Sequence, residues 1–165
     1  MKKNKFFLLV IVGLTGISLT SPASAATPKM PARIISLSPS ATENLFALGV
    51  GKTVVAVDDN SNFPAGVPTS NLSSFNPNVE AIVKFKPDLV ILQATASKAE
   101  AVAKQLKTLK ISVYLEKTPS DLDGVYKEIT DLGALTGKQL KARILINTIK
   151  VARITAIATA KKRTS

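Results

Sequence analysis

An α/β fold, with one small parallel sheet flanked by helices and a single long helix after it, is what this sequence predicts. Three patterns carry that prediction. Short aliphatic and β-branched runs recur at 34–37, 53–57, 88–92 and 111–115, each the length of a buried strand. Helix-like stretches lie between them, so strands and helices alternate as in a parallel α/β layer. From Leu140 to Ala158 apolar residues follow a 3-4 spacing, the mark of one extended amphipathic helix.

The first unit covers residues 33–49. Ile34, Ile35 and Leu37 form a strand that Pro39 ends, and Ser40 with Glu43 has the S-x-x-E spacing of a capping box. Gly49 closes the following helix at its C′ position. Such a turn gathers hydroxyls and backbone N–H groups at the end of a strand, where open α/β sheets bind ligands. Residues 53–57 are the second strand, and the short crossover helix before them makes the two strands parallel. Residues 58–75, broken by Pro64, Gly66 and Pro68, are a long polar loop of a functional or mobile kind. Its aromatics, Phe63 and Phe75, suit either anchorage to the core or contact with a ligand.

Residues 78–85 read as a two-turn helix and 88–92 as the third strand. A helix over 97–109 starts at a second capping box, Ser97 with Glu100, and turns Ala99, Val102, Ala103, Leu106 and Leu109 inward. The fourth strand is 111–115, and 120–135 carries a further helix. Thr136 with Gln139 opens the last helix, which runs to about residue 160. Its apolar seam is Leu140, Ile144, Val151, Ile154 and Ala158, interrupted at Asn147 and widened by Ile146, Ile149 and Ile157. At about 36 Å it is longer than one small layer needs for its own cover.

Composition suits one small globular domain: of 165 residues, 45% are apolar and 20% charged. Residues 1–25 have the parts of a cleavable secretory signal, with Lys2, Lys3 and Lys5, an apolar run over 6–19, and Ala23-Ser24-Ala25. The run is shorter than the roughly 20 residues a membrane span needs. Cysteine is absent, so neither a lipid-modified cysteine nor a disulfide is available. A soluble periplasmic or secreted protein is expected, with a linker over 26–32 and a lobe over 33–135. The net charge of +11 is unevenly placed. Acidic and basic residues balance between the signal and Gly137, and the excess belongs to the helix over 136–160 and the tail over 161–165. A solvated helix face accounts for that excess without nucleic acid.

Histidine, cysteine and tryptophan are all absent, which removes the Ser-His-Asp triad, the thiol nucleophile and every imidazole or thiolate metal site. No lysine neighbours Ser36, Ser38 or Ser40 in sequence to serve as a base. Asp58-Asp59 lacks a third acidic ligand and reads as a solvated pair. Gly49-Val50-Gly51-Lys52 lacks the phosphate-loop frame and precedes a strand. No enzyme activity, metal or cofactor is expected. What remains is a wall of hydroxyls, amides and aromatics, Ser38, Ser40, Asn60, Asn62, Phe63 and Phe75, suited to non-covalent binding of a bulky organic ligand.

Five blocks in order carry a resemblance: residues 33–43, Leu48-Gly49-Val50-Gly51, Asn62-Phe63-Pro64, Asn76-Pro77-Asn78-Val79-Glu80, and Lys86-Pro87-Asp88-Leu89-Val90-Ile91. Over about 33–160 the chain resembles the helical-backbone periplasmic substrate-binding proteins of ABC importers for cobalamin, haem and iron-siderophores. The resemblance implies one of two α/β lobes joined by a long rigid helix, with ligand held between the lobes. It implies that Ser38-Pro39-Ser40 and the loop from Asn60 to Phe63 line the cleft, with Phe75 near its rim, and that Glu80 docks onto an inner-membrane permease. Glu43 keeps its capping role. Position 60 carries Asn where cobalamin-binding members tend to have an aromatic. Residues 161–165 fall about where a second lobe would begin, so a truncated binding protein is expected. The alternative is a secreted one-lobe module that self-associates through residues 138–160.

Overall fold

The computed structural model describes residues 30–163. The expected signal over 1–25, most of the 26–32 linker and the last two residues of the tail lie outside the described residues. The order is β1 (Ile34–Leu37), α1 (Pro39–Ala47), a 3₁₀ turn (Gly51–Thr53), β2 (Val54–Val57), α2 (Val79–Val83), β3 (Leu89–Gln93), α3 (Ala99–Thr108), β4 (Ser112–Glu116), α4 (Leu122–Leu135) and α5 (Gln139–Arg163). The four strands form one sheet in the order β2-β1-β3-β4, and every pairing is parallel. The α/β layer followed by a long helix is therefore the fold that the alternation predicts.

Two cores follow from strand alternation, because successive side chains point to opposite faces. Ile34, Leu89 and Ile91 face α1, α4 and α5, where they meet Leu45, Ile129, Leu132 and Ala142. Ile35, Leu37, Val90 and Leu92 face α2 and α3, where they meet Ile82, Val102 and Leu106. The two inner strands are buried on both faces, which is why they read as unbroken apolar runs. At the amino edge, Asp88 accepts hydrogen bonds from the N–H groups of Ala32 and Arg33 at 2.8 and 3.1 Å. Arg33 in turn donates to the carbonyls of Phe85 and Lys86 at the end of α2. Lys86-Pro87-Asp88 thus ties the start of β1 to the start of β3.

Several helix starts differ from the expected ones. Ser38, rather than Ser40, caps α1, accepting from Ala41 N at 3.3 Å, and Pro39 occupies the first turn, where its missing N–H costs nothing. Glu43 is exposed, and the Ser40 hydroxyl serves another partner. α3 begins at Ala99 after Lys98, whose φ of 56° sets the turn without a side-chain cap, so Ser97 and Glu100 form no capping box. Leu109 is exposed beyond the last turn of α3. α2 is one turn long rather than two, capped by Asn78. Thr136 ends α4 instead of opening α5: it is buried and its hydroxyl donates back to the Leu132 carbonyl at 2.6 Å. Gly137, at φ 68°, then reverses the chain.

The seam of α5 is also displaced. Ala142 is buried, and Leu145, Ile146 and Ile149 pack on the α4 side of the core. Leu140, Ile144, Val151 and Ile154 face water. Ala142 is chosen because Gly133 of α4 brings the two helices close enough that a Cβ there would stand 2.6 Å from the Ala142 Cβ. From Val151 onward every residue of α5 is exposed, and the helix stands clear of the sheet.

Candidate functional site

All four strands point the same way, so the loops that follow them share the carboxyl edge. The order β2-β1-β3-β4 reverses direction between β1 and β3, and ligands of open α/β sheets bind at such a switch point. The turn at Ser38-Pro39-Ser40 sits there. Asn60, Asn62 and Phe63 follow β2, and the Phe75 carbonyl accepts from Ser97 N beyond the end of β3 at 2.8 Å. The structure therefore brings the sequence-predicted residues to one edge.

They are not equivalent there. Ser40, Asn60 and Asn62 are exposed and Pro39 is half-buried. Phe63 and Phe75 are 62% and 67% exposed, so neither anchors the core. Ser38 is fully buried, with its hydroxyl committed to capping α1 and to Ser40; it supports the surface from beneath.

A chain of hydrogen bonds forms the floor. Asp58 accepts from Ser61 Oγ at 2.7 Å and from Asn60 N at 2.9 Å. Ser61 meets Thr42 Oγ1 at 3.1 Å, and Thr42 donates to Ser36 Oγ and to the Ser38 carbonyl. Ser38 Oγ meets Ser40 Oγ at 3.1 Å, and Ser40 donates to Glu116 Oε1 at 2.7 Å. Asp58, Ser61, Thr42, Ser36, Ser38 and Glu116 are all buried. The expected solvated pair is thus corrected: Asp58 is 2% exposed and organises the loop, while Asp59 alone is in water. Hydrogen-bonded networks of this kind hold a surface rigid, and the one buried side-chain oxygen without a partner among the described residues is Glu116 Oε2.

Beside the floor, β4 and α4 carry groups that sequence reasoning missed. Asn44 Nδ2 donates to Glu128 Oε1 at 2.9 Å, and Tyr114 donates to Asp131, which also binds Lys127 at 2.6 Å. Burial, then the neighbouring charge of Glu116, pushes the Glu128 carboxyl up to about 7. Burial and the hydrogen bond to Asp131 raise the Tyr114 phenol above its ordinary range. Serine within the apolar run of β1 was a readable signal for the floor. Glu116 and Glu128 had none, because their partners lie 76 and 84 residues away in sequence.

Hollows at this edge are shallow. One of about 340 Å³ lies between Tyr114, Lys117, Lys127 and Glu128, and another of about 230 Å³ lies along Asp58, Asn62 and Pro64; ligand pockets of about 300–1,000 Å³ are usual. A hollow of about 600 Å³ opens at the opposite, amino edge, between Met30, Lys110 and Leu135. Among the described residues no cluster of three or more acidic side chains could hold a metal. Glu80 is exposed in the first turn of α2, on the carboxyl-edge side from which that helix starts.

The pattern that defines the periplasmic binding proteins matches residues 34–165. The chain belongs to that family. Over 124 residues this family member is 38% identical to an uncharacterized ABC transporter substrate-binding lipoprotein, YvrC, of Bacillus subtilis (strain 168), covering 74% of this chain and 40% of that protein. It is 32% identical over 124 residues to a vitamin B12-binding protein of Vibrio cholerae serotype O1, covering 74% and 44%. A crystal structure of a possible iron-binding (periplasmic solute-binding) protein from Staphylococcus epidermidis ATCC 12228 superposes with a TM-score of 0.67 at 32% identity, covering 74% of this chain and 48% of that one. The chain spans less than half the length of each of these relatives. The two whose names state a ligand are named as binding proteins. No helix among the described residues is long and apolar enough to cross a membrane.

Proposed function

We propose that the chain supplies a ligand-holding lobe of a substrate-binding protein that serves an ABC importer outside the cytoplasm. Its ligand is a bulky metal chelate of the cobalamin, haem or iron-siderophore class, held without covalent chemistry. The observation that carries this reading is the carboxyl edge itself. Two aromatics with most of their surface in water flank exposed Ser40, Asn60 and Asn62 over a hydrogen-bonded floor. Aromatic faces supply contact area and the amides supply orientation. The B12-binding and iron-binding relatives support the ligand class. Exposed Glu80 is the charged anchor for a permease, and rim charges of this kind govern partner choice and encounter rate.

Absorbance titration of the purified protein with haemin, cyanocobalamin and a ferric hydroxamate siderophore tests the proposal. One of them should saturate at one equivalent with a Kd below about 100 µM, equivalent to about 5.5 kcal/mol. Failure of all three overturns the ligand class.

A second reading, a secreted module that pairs through residues 138–160, draws on exposed Leu140, Ile144, Val151, Ile154 and Ile157 of α5. It predicts a concentration-dependent dimer on size-exclusion chromatography that Ile154→Lys returns to monomer.

A further inference from the structure

Every strand of the sheet is entered past a basic residue. Arg33 precedes β1, Lys52 precedes β2, Lys86 precedes β3 and Lys110 precedes β4, none more than three residues from the strand it leads into. All four are exposed. Because the strands are parallel and neighbours lie about 4.8 Å apart, these positions form a row along the amino edge in the order Lys52, Arg33, Lys86, Lys110, about 14 Å from end to end. Neighbouring charges in the row fall inside the Debye length of about 10 Å at about 0.1 M salt, so they act together. Lys138, where α4 turns into α5, and Lys141, whose Nζ lies against Gly49 at the end of α1, extend the patch. Asp88 is the only acidic residue in the connections that lead into the strands, and both of its oxygens already accept from the N–H groups of Ala32 and Arg33.

Charge is retained at this edge against conformational preference. Lys86 and Lys110 have φ of 50° and 62°, the left-handed region that glycine occupies freely and a side chain resists. Gly49 and Gly137 take the same conformation at the ends of α1 and α4, as is usual for such turns. The ends of α2 and α3 carry lysine instead. Apolar surface is exposed beside the row: Met30 and Leu135 are 45% and 37% exposed and, with Pro31 and Leu89, line the hollow of about 600 Å³ that Lys110 borders. Cations next to exposed apolar side chains suit the headgroup boundary of a bilayer, where the first meet phosphates and the second enter the acyl region. In the loops and first turns of the opposite edge, exposed Asp59, Glu80, Glu100, Asp121 and Asp123 outnumber Lys98 and Lys117.

We propose that the amino edge is a docking surface for anionic phospholipid, and that it holds the lobe with its carboxyl edge turned to the solution. Ser40, Asn60 and Phe63 are then open to ligand, and the lobe leaves the surface to bring Glu80 to a permease. The docking surface stands on the basic row and does not depend on which ligand the other edge takes.

Sedimentation with phospholipid vesicles tests it, on the chain from Ala26 onward so that the signal contributes nothing. Phosphatidylcholine vesicles carrying about 30% phosphatidylglycerol should carry the protein down in about 0.1 M salt and release it in about 1 M, where the Debye length falls to about 3 Å. Pure phosphatidylcholine should leave it in solution. Lys86→Gly and Lys110→Gly should each weaken binding about fivefold, and together about 25-fold. The melting temperature should hold or rise in both, because glycine relieves the left-handed turn. Lys162→Gln with Arg163→Gln, at the far end of α5, should change binding little. No sedimentation with charged vesicles overturns the proposal, as does equal binding to pure phosphatidylcholine. Binding that survives both glycine substitutions, or that falls with the α5 pair instead, overturns the amino edge as the surface. Capture by soluble polyglutamate as tight as by the vesicles overturns the lipid and makes the partner an acidic polypeptide.

Discussion

Phe63 and Phe75 hold most of their surface in water, so their removal separates binding from folding. Phe63→Ala and Phe75→Ala should each leave the melting temperature within about a degree of wild type, since surface substitutions shift stability by about 0.5 kcal/mol or less. Each should weaken ligand binding about tenfold in absorbance titration, the loss of one aromatic contact. Arg33 is the opposite case. Its guanidinium meets the carbonyls at the end of α2 at 2.6–3.1 Å, and Arg33→Ala should cost about 1–2 kcal/mol in urea unfolding while leaving binding unchanged. Glu80→Ala should weaken association with a permease and leave stability nearly intact, because only an exposed first-turn glutamate is lost. A large stability loss would return Glu80 to a structural role.

At the scale of elements, strand positions were legible to within about a residue because β1 and β3 are buried on both faces and carry only Ser36 and the terminal Gln93 as polar residues. Helix starts were legible only as regions. The S-x-x-E spacing of Ser40 with Glu43 and of Ser97 with Glu100 describes a local possibility, and both were overridden, by Pro39 in the first turn and by the left-handed turn at Lys98. The edge residues could be listed from composition and loop length. Which of them reach the surface depends on tertiary contacts such as the one between Ser40 and Glu116, which leave no local pattern. The face of α5 was misread for a similar reason: contact with α4 is decided by Gly133 and Ala142, small residues that carry little weight in an apolar periodicity. Gly133→Ala should therefore destabilise the protein by about 1–3 kcal/mol through overpacking, read as a lower urea midpoint with an unchanged slope.

For the whole molecule, the buried Glu128 carboxyl links stability to pH. Glu128 takes up its proton near 7 in the folded protein, against 4.5 as its ordinary value. Between those values the folded state holds more protons than the unfolded one, so its contribution is complete below about 4.5 and is lost as pH rises through about 7. The loss amounts to roughly 3 kcal/mol at most. Thermal unfolding at constant ionic strength should show the melting temperature falling from pH 5 to pH 8, and Glu128→Gln should flatten that slope. A wild-type profile that is flat across this range would count against a raised Glu128 carboxyl.

The uncovered half of α5 is a lever. From Val151 onward thirteen described residues stand in solvent, an arm of about 20 Å at 1.5 Å per residue. Its tightest bearing is the close contact of Gly133 with Ala142 near its root, with Leu145, Ile146 and Ile149 packed beyond it. A tilt of about 10° at that bearing sweeps the tip, about 32 Å away, through about 5 Å, enough to make or break a hydrogen bond at whatever the tip touches. One methyl group at position 133 would thus be felt most strongly at the far end of the helix, about 32 Å from that contact.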